Sequence, residues 1–152
     1  MNLELKIIPP VQLIICSGLM VSLAFYLPQY HFDLSISLPI TALLVLSASL
    51  IGLLALYDFH KHQTTFHPHT PEKTTTVVDT GVFAYSRNPM YLCLVLILMA
   101  LGVYLQNYSS FIIIPLFIWY ITRFQIIPEE KTLDKLFPND YQAYCQKVNR
   151  WL

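Results

Sequence analysis

The sequence predicts an all-α integral membrane protein that forms a single membrane domain over residues 1–152. Of its 152 residues, 55% are apolar and only 12% are charged, whereas soluble domains contain about 25% charged residues. The mean hydropathy is +0.53. Three long stretches, 7–32, 34–57 and 88–122, contain no Lys, Arg, Asp or Glu. Each is long enough to cross the bilayer as a helix, which takes about 20 apolar residues.

These stretches predict four transmembrane helices. The first two hold one span each, at about 8–27 and 38–57. The third stretch is long enough for two spans, at about 90–105 and 110–127, because the polar run 106–110 suits a tight turn between them. The remaining segments are a polar loop over 58–89 and a C-terminal segment over 128–152. The last segment carries apolar residues at helical spacing, which is typical of short amphipathic helices.

The positive charges predict the orientation of these spans. With four spans, both termini and the 58–89 loop share one side of the membrane. All nine Lys and Arg fall on that side, which the positive-inside rule identifies as cytoplasmic. The first apolar run lacks a small-x-small cleavage site near its end, so we expect a retained helix instead of a signal peptide. Nine acidic residues balance the nine basic ones, which argues against a nucleic-acid partner.

The cysteines and histidines give only weak signals for disulfide bonds or a metal site. The three cysteines show no CxxC spacing and are expected to be small apolar side chains in the packing. His60, His62, His67 and His69 form two His-x-His steps. Metal sites need converging ligands and a second shell of partners, so no metal site is predicted, and interfacial loop histidines are the preferred interpretation.

The ends of the predicted spans hold the most informative polar residues. Pro89 suits the first turn of the third span, where the following amides can bind an anion. Arg87 either holds that anion or pairs with lipid headgroups. Glu129 and Glu130 follow Pro128, where carboxylates favour a helix start. One of them can equally bind a cationic group such as an ammonium or sulfonium, and the residues alone leave both interpretations open.

Four motifs in this order give the sequence a family resemblance. They are Val77-Val78-Asp79-Thr80-Gly81-Val82-Phe83, Arg87-Asn88-Pro89-Met90-Tyr91, Glu129-Glu130, and Phe137 with Tyr141, Tyr144 and Val148. Over residues 64–151 the chain resembles the integral-membrane isoprenylcysteine carboxyl methyltransferases and their bacterial and phospholipid-methylating relatives. The resemblance implies a methyltransferase that uses S-adenosylmethionine, bound between the loop before the third span and the C-terminal helices.

The resemblance also implies which residues contact the cofactor. They are Thr75, Thr76, Val77, Val78, Phe83, Asn88, Pro89, Met90, Tyr91, Glu129 and the neighbouring Glu130. The amides at the helix start suit the methionine carboxylate, and Glu129 suits the ammonium group. Phe83 is expected to pack against the adenine or the sulfonium.

One departure from the family concerns the acceptor. The substrate-holding Arg of the eukaryotic enzymes lies four residues before the cofactor-binding Glu, where this chain has Gln125. Arg123 is the nearest replacement, although two residues turn an α-helix by about 200°. Arg123 or Arg87 is predicted to steer an anionic head. Tyr91, Glu130 or a loop histidine is expected to assist proton loss from an amine or thiol. The expected acceptor is lipid-like or prenylated, with carboxylate O-methylation favoured.

Two other functions stay open at this point. Membrane sterol reductases resemble the C-terminal half, which suggests an NADPH-dependent reductase, but the chain lacks an additional basic cluster for the 2′-phosphate. A non-catalytic membrane scaffold built on the same hairpin is the second alternative. The sequence gives no indication of the oligomeric state.

Overall fold

The computed structural model describes residues 8–61 and 76–152. Its described part is helical, with short 3₁₀ turns at Pro28–Tyr30, Gly81–Ala84 and Tyr108–Ile112. The α-helices of this part are α1 (Pro9–Tyr26), α2 (Ser37–Lys61), α3 (Pro89–Leu105), α4 (Ile113–Ile121), α5 (Ile127–Leu136) and α6 (Pro138–Lys147). A π-helical turn at Thr122–Ile126 joins α4 to α5.

Three helical segments are long and apolar enough to cross a membrane: α1, α2 and the continuous run Tyr108–Leu136. Most side chains of α1 and α2 are exposed, although they are apolar. Large exposed apolar surfaces of this kind mark a membrane contact. Helix α3 is equally apolar but has 17 residues, about 25 Å at about 1.5 Å per residue. The four-span arrangement therefore stays a prediction.

Helix α2 is longer than its predicted span. We expected the loop to begin at residue 58, but the helix continues through Asp58 to Lys61. Residues 58–61 contain neither Gly nor Pro, so nothing in them stops a helix that is already formed. The extension carries the buried carboxylate of Asp58 beyond the apolar part of α2.

The turn between α3 and α4 lies within the predicted polar run. Gln106 ends α3 in the left-handed conformation with φ 50°. Asn107 is 2% exposed; its side-chain amide donates to the Leu27 carbonyl, and its side-chain oxygen accepts from Ser109. The Ser110 hydroxyl donates to the Met20 carbonyl. These bonds satisfy the polar groups of the turn inside the protein, as a loop near the hydrocarbon requires.

The last predicted span does not end at residue 127. The helical run starts at Tyr108 and passes through the π turn into α5, which ends at Leu136. Pro128 was expected to start a separate helix. In a regular α-helix its ring would clash with the carbonyl of residue 124, which here lies inside the wider π turn. The π turn therefore lets the helix pass this proline without a break.

Two apolar clusters hold the described residues together. The first, which we call the membrane core, joins α1, α3, α4 and the π turn through Met20, Tyr91, Val95, Leu98, Ile113, Ile114, Phe117, Ile121 and Ile126. The second, which we call the α6 core, joins the end of α2, the segment before α3 and α6 through Ala55, Val78, Phe83, Tyr141, Tyr144 and Val148. The motif residues lie in and between these two clusters.

Candidate functional site

Glu129 lies in the first turn of α5 beside the start of α3. Its Oε1 atom accepts one hydrogen bond from the Tyr91 hydroxyl and one from the Gln125 side-chain amide, each at 2.7 Å. Tyr91 and Gln125 are 5% and 1% exposed. Among the described residues, the hydrogen-bond partners of Glu129 are neutral, so the ionised carboxylate can bind a cation.

Glu130, the next residue, has very different surroundings. The Arg150 guanidinium donates from Nε and from one terminal nitrogen to the two Glu130 oxygens, at 3.0 and 2.7 Å. A terminal nitrogen of Arg87 lies 3.4 Å from Oε1. The hydrogen bond to Glu130 also raises the pKa of Arg150. Two cations therefore balance this carboxylate within the protein.

Helix α6 packs against the arginine and the loop before α3. Arg87 donates to the Tyr141 hydroxyl at 3.4 Å and contacts the Cys145 sulfur. The Tyr144 hydroxyl donates to the Phe83 carbonyl at 2.6 Å. Burial raises the pKa of both tyrosines, so they stay protonated at neutral pH. These contacts fix the motif Arg87–Tyr91 against the C-terminal helices.

The chain after α6 crosses the start of α3. The Arg87 amide donates to the Asn149 carbonyl at 3.1 Å, and the Asn88 side-chain amide donates to the Arg150 carbonyl at 3.0 Å. Trp151 packs against the membrane core. The C-terminal residues thus cover the helix start at which the sequence predicts an anion-binding position.

Asp58 and Gly81 connect the end of α2 to the motif loop. The Val82 amide donates to the Asp58 carboxylate at 3.2 Å. Gly81 has φ 60°, and a Cβ atom there would collide with the same carboxylate. The ring of Phe83 lies 4.9 Å from that of Phe59 in an edge contact. The loop is therefore held by the part of α2 that extends past its predicted span.

A polar cleft of about 270 Å³ opens between the segment before Thr80 and α6. Its lining residues are Thr76, Val77, Asp79, Asp140, Ala143, Tyr144 and Lys147. Its volume is just below the range of about 300–1,000 Å³ that is typical of small-molecule pockets. The cleft can therefore enclose part of a small-molecule ligand.

The structure brings several predicted site residues together and separates others. Tyr91 contacts Glu129, and Arg87 contacts Glu130. Thr76 and Val77 line the cleft, whereas Thr75 lies outside the described residues. Val78, Phe83, Pro89 and Met90 pack in or against buried parts of the protein. Phe83 thus lies in the α6 core, where its ring packs on Phe59.

Arg123 differs from the residues of this cluster in its exposure. It is exposed, and its guanidinium lies 5.6 Å from the centre of the Phe124 ring. Gln125, in the same π turn, is buried and donates to Glu129. Arg123 therefore does not take the place of Gln125 beside Glu129.

Sequence reasoning missed parts of this site. Gln125 was treated only as a departure from the family, although its spacing of four residues from Glu129 on a helix is a usable signal. Arg150 and Asp58 gave no signal, because their partners lie 20 and 24 residues away along the chain. Among the described residues, no three His, Cys, Asp or Glu side chains converge; His62, His67 and His69 lie outside them.

Comparison with known proteins identifies the family. The sequence model of the family described as phospholipid methyltransferase matches residues 36–140. The chain belongs to the phospholipid methyltransferase family. An uncharacterized protein of Haemophilus influenzae (strain ATCC 51907 / DSM 11121 / KW20 / Rd) is 44% identical over 63 residues, which are 41% of this chain and the whole of that protein. No solved structure matches the chain significantly.

Membership in this family confirms the resemblance drawn from the motifs. Together with the long apolar helices, it identifies the chain as an integral membrane protein and a methyltransferase. A phospholipid methyltransferase associates with membranes and acts on lipids, and the family match favours methyl transfer over the reductase alternative.

Proposed function

We propose that the protein transfers a methyl group from S-adenosylmethionine to a lipid-like or membrane-associated acceptor at the cytoplasmic interface. The observation that carries this proposal is the Glu129 carboxylate, held by Tyr91 and Gln125 at the end of a transmembrane helix. A half-buried carboxylate whose partners are neutral suits the ammonium group of the cofactor. The family match supports the same chemistry.

We assign the remaining cofactor contacts to the start of α3 and to the polar cleft. The start of α3 offers the positive end of its helix dipole to the methionine carboxylate. The Asn88 and Tyr91 amides already donate within the chain, to the Ser86 hydroxyl and the Asn88 carbonyl, so the dipole is the main contribution of this helix start. The polar cleft that contains Thr76 and Val77 can take the adenosine part. Glu130 contributes indirectly, because it holds Arg87 and Arg150 against the start of α3.

When bound, the cofactor supplies an electrophilic methyl group on a sulfonium. The protein has to orient the acceptor in line with that group and exclude water. A carboxylate acceptor is already ionised at pH 7. An amine or thiol acceptor must lose a proton, and the Tyr91 hydroxyl, hydrogen-bonded to Glu129 at 2.7 Å, is positioned to assist.

The proposed topology has four spans, with both termini on the cytoplasmic side. The acceptor enters the site laterally from the bilayer. Exposed Arg123, in the π turn of the last apolar helical run, is proposed to bind an anionic head. Carboxylate O-methylation follows from the resemblance to the isoprenylcysteine enzymes. An amine acceptor is the second candidate, because Gln125 replaces their substrate-holding Arg and Glu130 already pairs with Arg87 and Arg150.

Calorimetric titration of S-adenosylmethionine and S-adenosylhomocysteine into the detergent-purified protein tests the proposal. We expect saturable binding that is lost in Glu129→Ala and retained in Lys131→Ala, which removes an exposed charge on the same helix. Absence of binding to the folded protein would refute the cofactor and favour the scaffold. Protection against unfolding by NADPH alone would favour the reductase.

A further inference from the structure

The two carboxylates at the start of α5 differ in how their charge is balanced. Glu130 binds two arginines, one of them through both of its oxygens. Glu129 receives only neutral donors among the described residues, the Tyr91 hydroxyl and the Gln125 amide. The two arginines therefore balance the charge of Glu130 within the protein, whereas the carboxylate of Glu129 is available to a cationic ligand.

Both neutral donors bind the same oxygen of Glu129. Tyr91 and Gln125 each donate to Oε1, which fixes the plane of the carboxylate and leaves Oε2 to accept further hydrogen bonds. A carboxylate that is already held in one orientation loses less conformational entropy when the ligand binds.

The environment of Gln125 indicates why an amide is present there. Gln125 is 1% exposed, and its helix neighbours Ile121 and Ile126 are fully buried in the membrane core. A polar side chain in such surroundings is unfavourable unless it is hydrogen-bonded. Its amide donates to Glu129, four residues along the chain. An Arg at this position would neutralise the carboxylate, whereas an amide orients it and preserves its charge.

We infer that Gln125 is a positioning residue which, together with Tyr91, orients Glu129 toward the ammonium group of the cofactor. This inference rests on the proposed function. In this inference Gln125, which occupies the position of the substrate-holding Arg of the isoprenylcysteine enzymes, serves cofactor binding instead. Because Glu129 is proposed to contact only the amino-acid end of the cofactor, Gln125 should affect the binding of that end alone.

That specificity gives a direct test with two ligands. S-adenosylhomocysteine carries the amino-acid end, and 5′-methylthioadenosine lacks it. Titration of detergent-purified Gln125→Leu is expected to show about tenfold weaker binding of S-adenosylhomocysteine, the usual effect of losing a hydrogen bond to a charged group. Binding of 5′-methylthioadenosine should be unchanged. Gln146→Leu, the same change at an exposed position of α6, should affect neither ligand.

Two further variants keep the test decisive. Tyr91→Phe removes the other donor and should show the same selective loss, whether or not Gln125→Leu folds. Glu129→Ala, alone or combined with Gln125→Leu, should lose saturable binding of S-adenosylhomocysteine and keep binding of 5′-methylthioadenosine, because both changes remove one interaction. Equal losses for the two ligands in Gln125→Leu, or loss of 5′-methylthioadenosine binding in the double variant alone, would overturn the inference.

The outcomes also separate this inference from the proposed function. If the unaltered protein binds neither ligand, both are overturned. If it binds S-adenosylhomocysteine in a Glu129-dependent manner and Gln125→Leu binds it equally well, only the positioning role is overturned.

Discussion

At the scale of single residues, the neighbours Glu129 and Glu130 share a helix turn and differ in their partners. Adjacent positions on an α-helix point about 100° apart, so Glu129 faces Tyr91 while Glu130 faces Arg87 and Arg150. Sequence alone presents two equivalent carboxylates after a proline. Their different roles depend on arginines that come from the motif loop and from the C-terminal residues.

Glu130→Gln is predicted to reduce stability more than cofactor affinity. It leaves Arg87, whose side chain is 13% exposed, without its carboxylate partner. Breaking a fully buried pair costs about 3–5 kcal/mol; because Arg150 is 38% exposed, we expect a loss of about 1–3 kcal/mol after discounting for solvent screening. Thermal unfolding in detergent measures it. Asp134→Asn, at an exposed position of α5, is the control, and an equally small shift in both variants would contradict the prediction.

Arg123→Ala is predicted to raise the KM for the acceptor and to leave cofactor affinity unchanged. Its side chain is exposed in the π turn and contacts the Phe124 ring. Losing a charged contact of this kind costs about 1.5–3 kcal/mol, about tenfold or more in KM. Steady-state kinetics and titration measure the two effects, and Arg123→Lys should be intermediate. Weaker cofactor binding with an unchanged KM would refute this role.

At the scale of elements, apolar runs predict where helices exist and local chemistry decides where they end. The turn at 106–110 was predictable, because Asn and Ser satisfy turn backbones through their side chains. The π turn at Thr122–Ile126 was not predictable, because a shift of one residue in the hydrogen-bonding pattern depends on packing around it. The extension of α2 to Lys61 was missed because a charged residue, Asp58, was taken as the end of the helix.

Gly81→Ala is predicted to weaken the motif loop. The residue has φ 60°, and an added Cβ would collide with the Asp58 carboxylate. Backbone strain of this kind costs about 1–3 kcal/mol, so we expect a lower unfolding temperature together with weaker cofactor binding. Gly18→Ala is the matched control. It has open space around its Cβ position and lies inside α1, where Ala is favoured over Gly by about 0.5–1 kcal/mol. Equal effects at the two positions would contradict the prediction.

The candidate site was predictable in part. The motifs place Tyr91 and Glu129 at one site, and the structure shows them in contact although 38 residues separate them. Phe83 was expected to contact the cofactor, and the structure shows it buried at 6% exposure in the α6 core. An aromatic residue in a motif can either pack in the protein core or contact a ligand. Only the tertiary arrangement distinguishes these two roles.

At the scale of the whole molecule, the helices place the site at one end of the membrane-spanning part. The run Tyr108–Leu136 has 29 residues, about 43 Å at about 1.5 Å per residue, which exceeds a hydrocarbon core of about 30 Å. Counted from Tyr108, Glu129 then falls near the boundary of the hydrocarbon. Two cations, Arg87 and Arg150, lie beside Glu130 in the same part of the fold.

The proposed topology predicts which residues an impermeant reagent reaches from outside. In a chain whose three cysteines are replaced by alanine, Asp33→Cys should react in intact cells, because the loop between α1 and α2 is expected on the outer side. Lys147→Cys, at an exposed position of α6, should react only after the cells are opened. Labelling of Lys147→Cys in intact cells, or protection of Asp33→Cys, would refute the orientation.

Methyl transfer itself is tested most directly with S-adenosylmethionine labelled in its methyl group. Membranes that contain the protein are incubated with it, and the lipid fraction is extracted and counted. We expect label in an extractable lipid-like product with the unaltered protein and little with Glu129→Gln. Cofactor binding without any labelled product, or undiminished transfer by Glu129→Gln, would contradict the assignment of this site as the centre of a membrane methyltransferase.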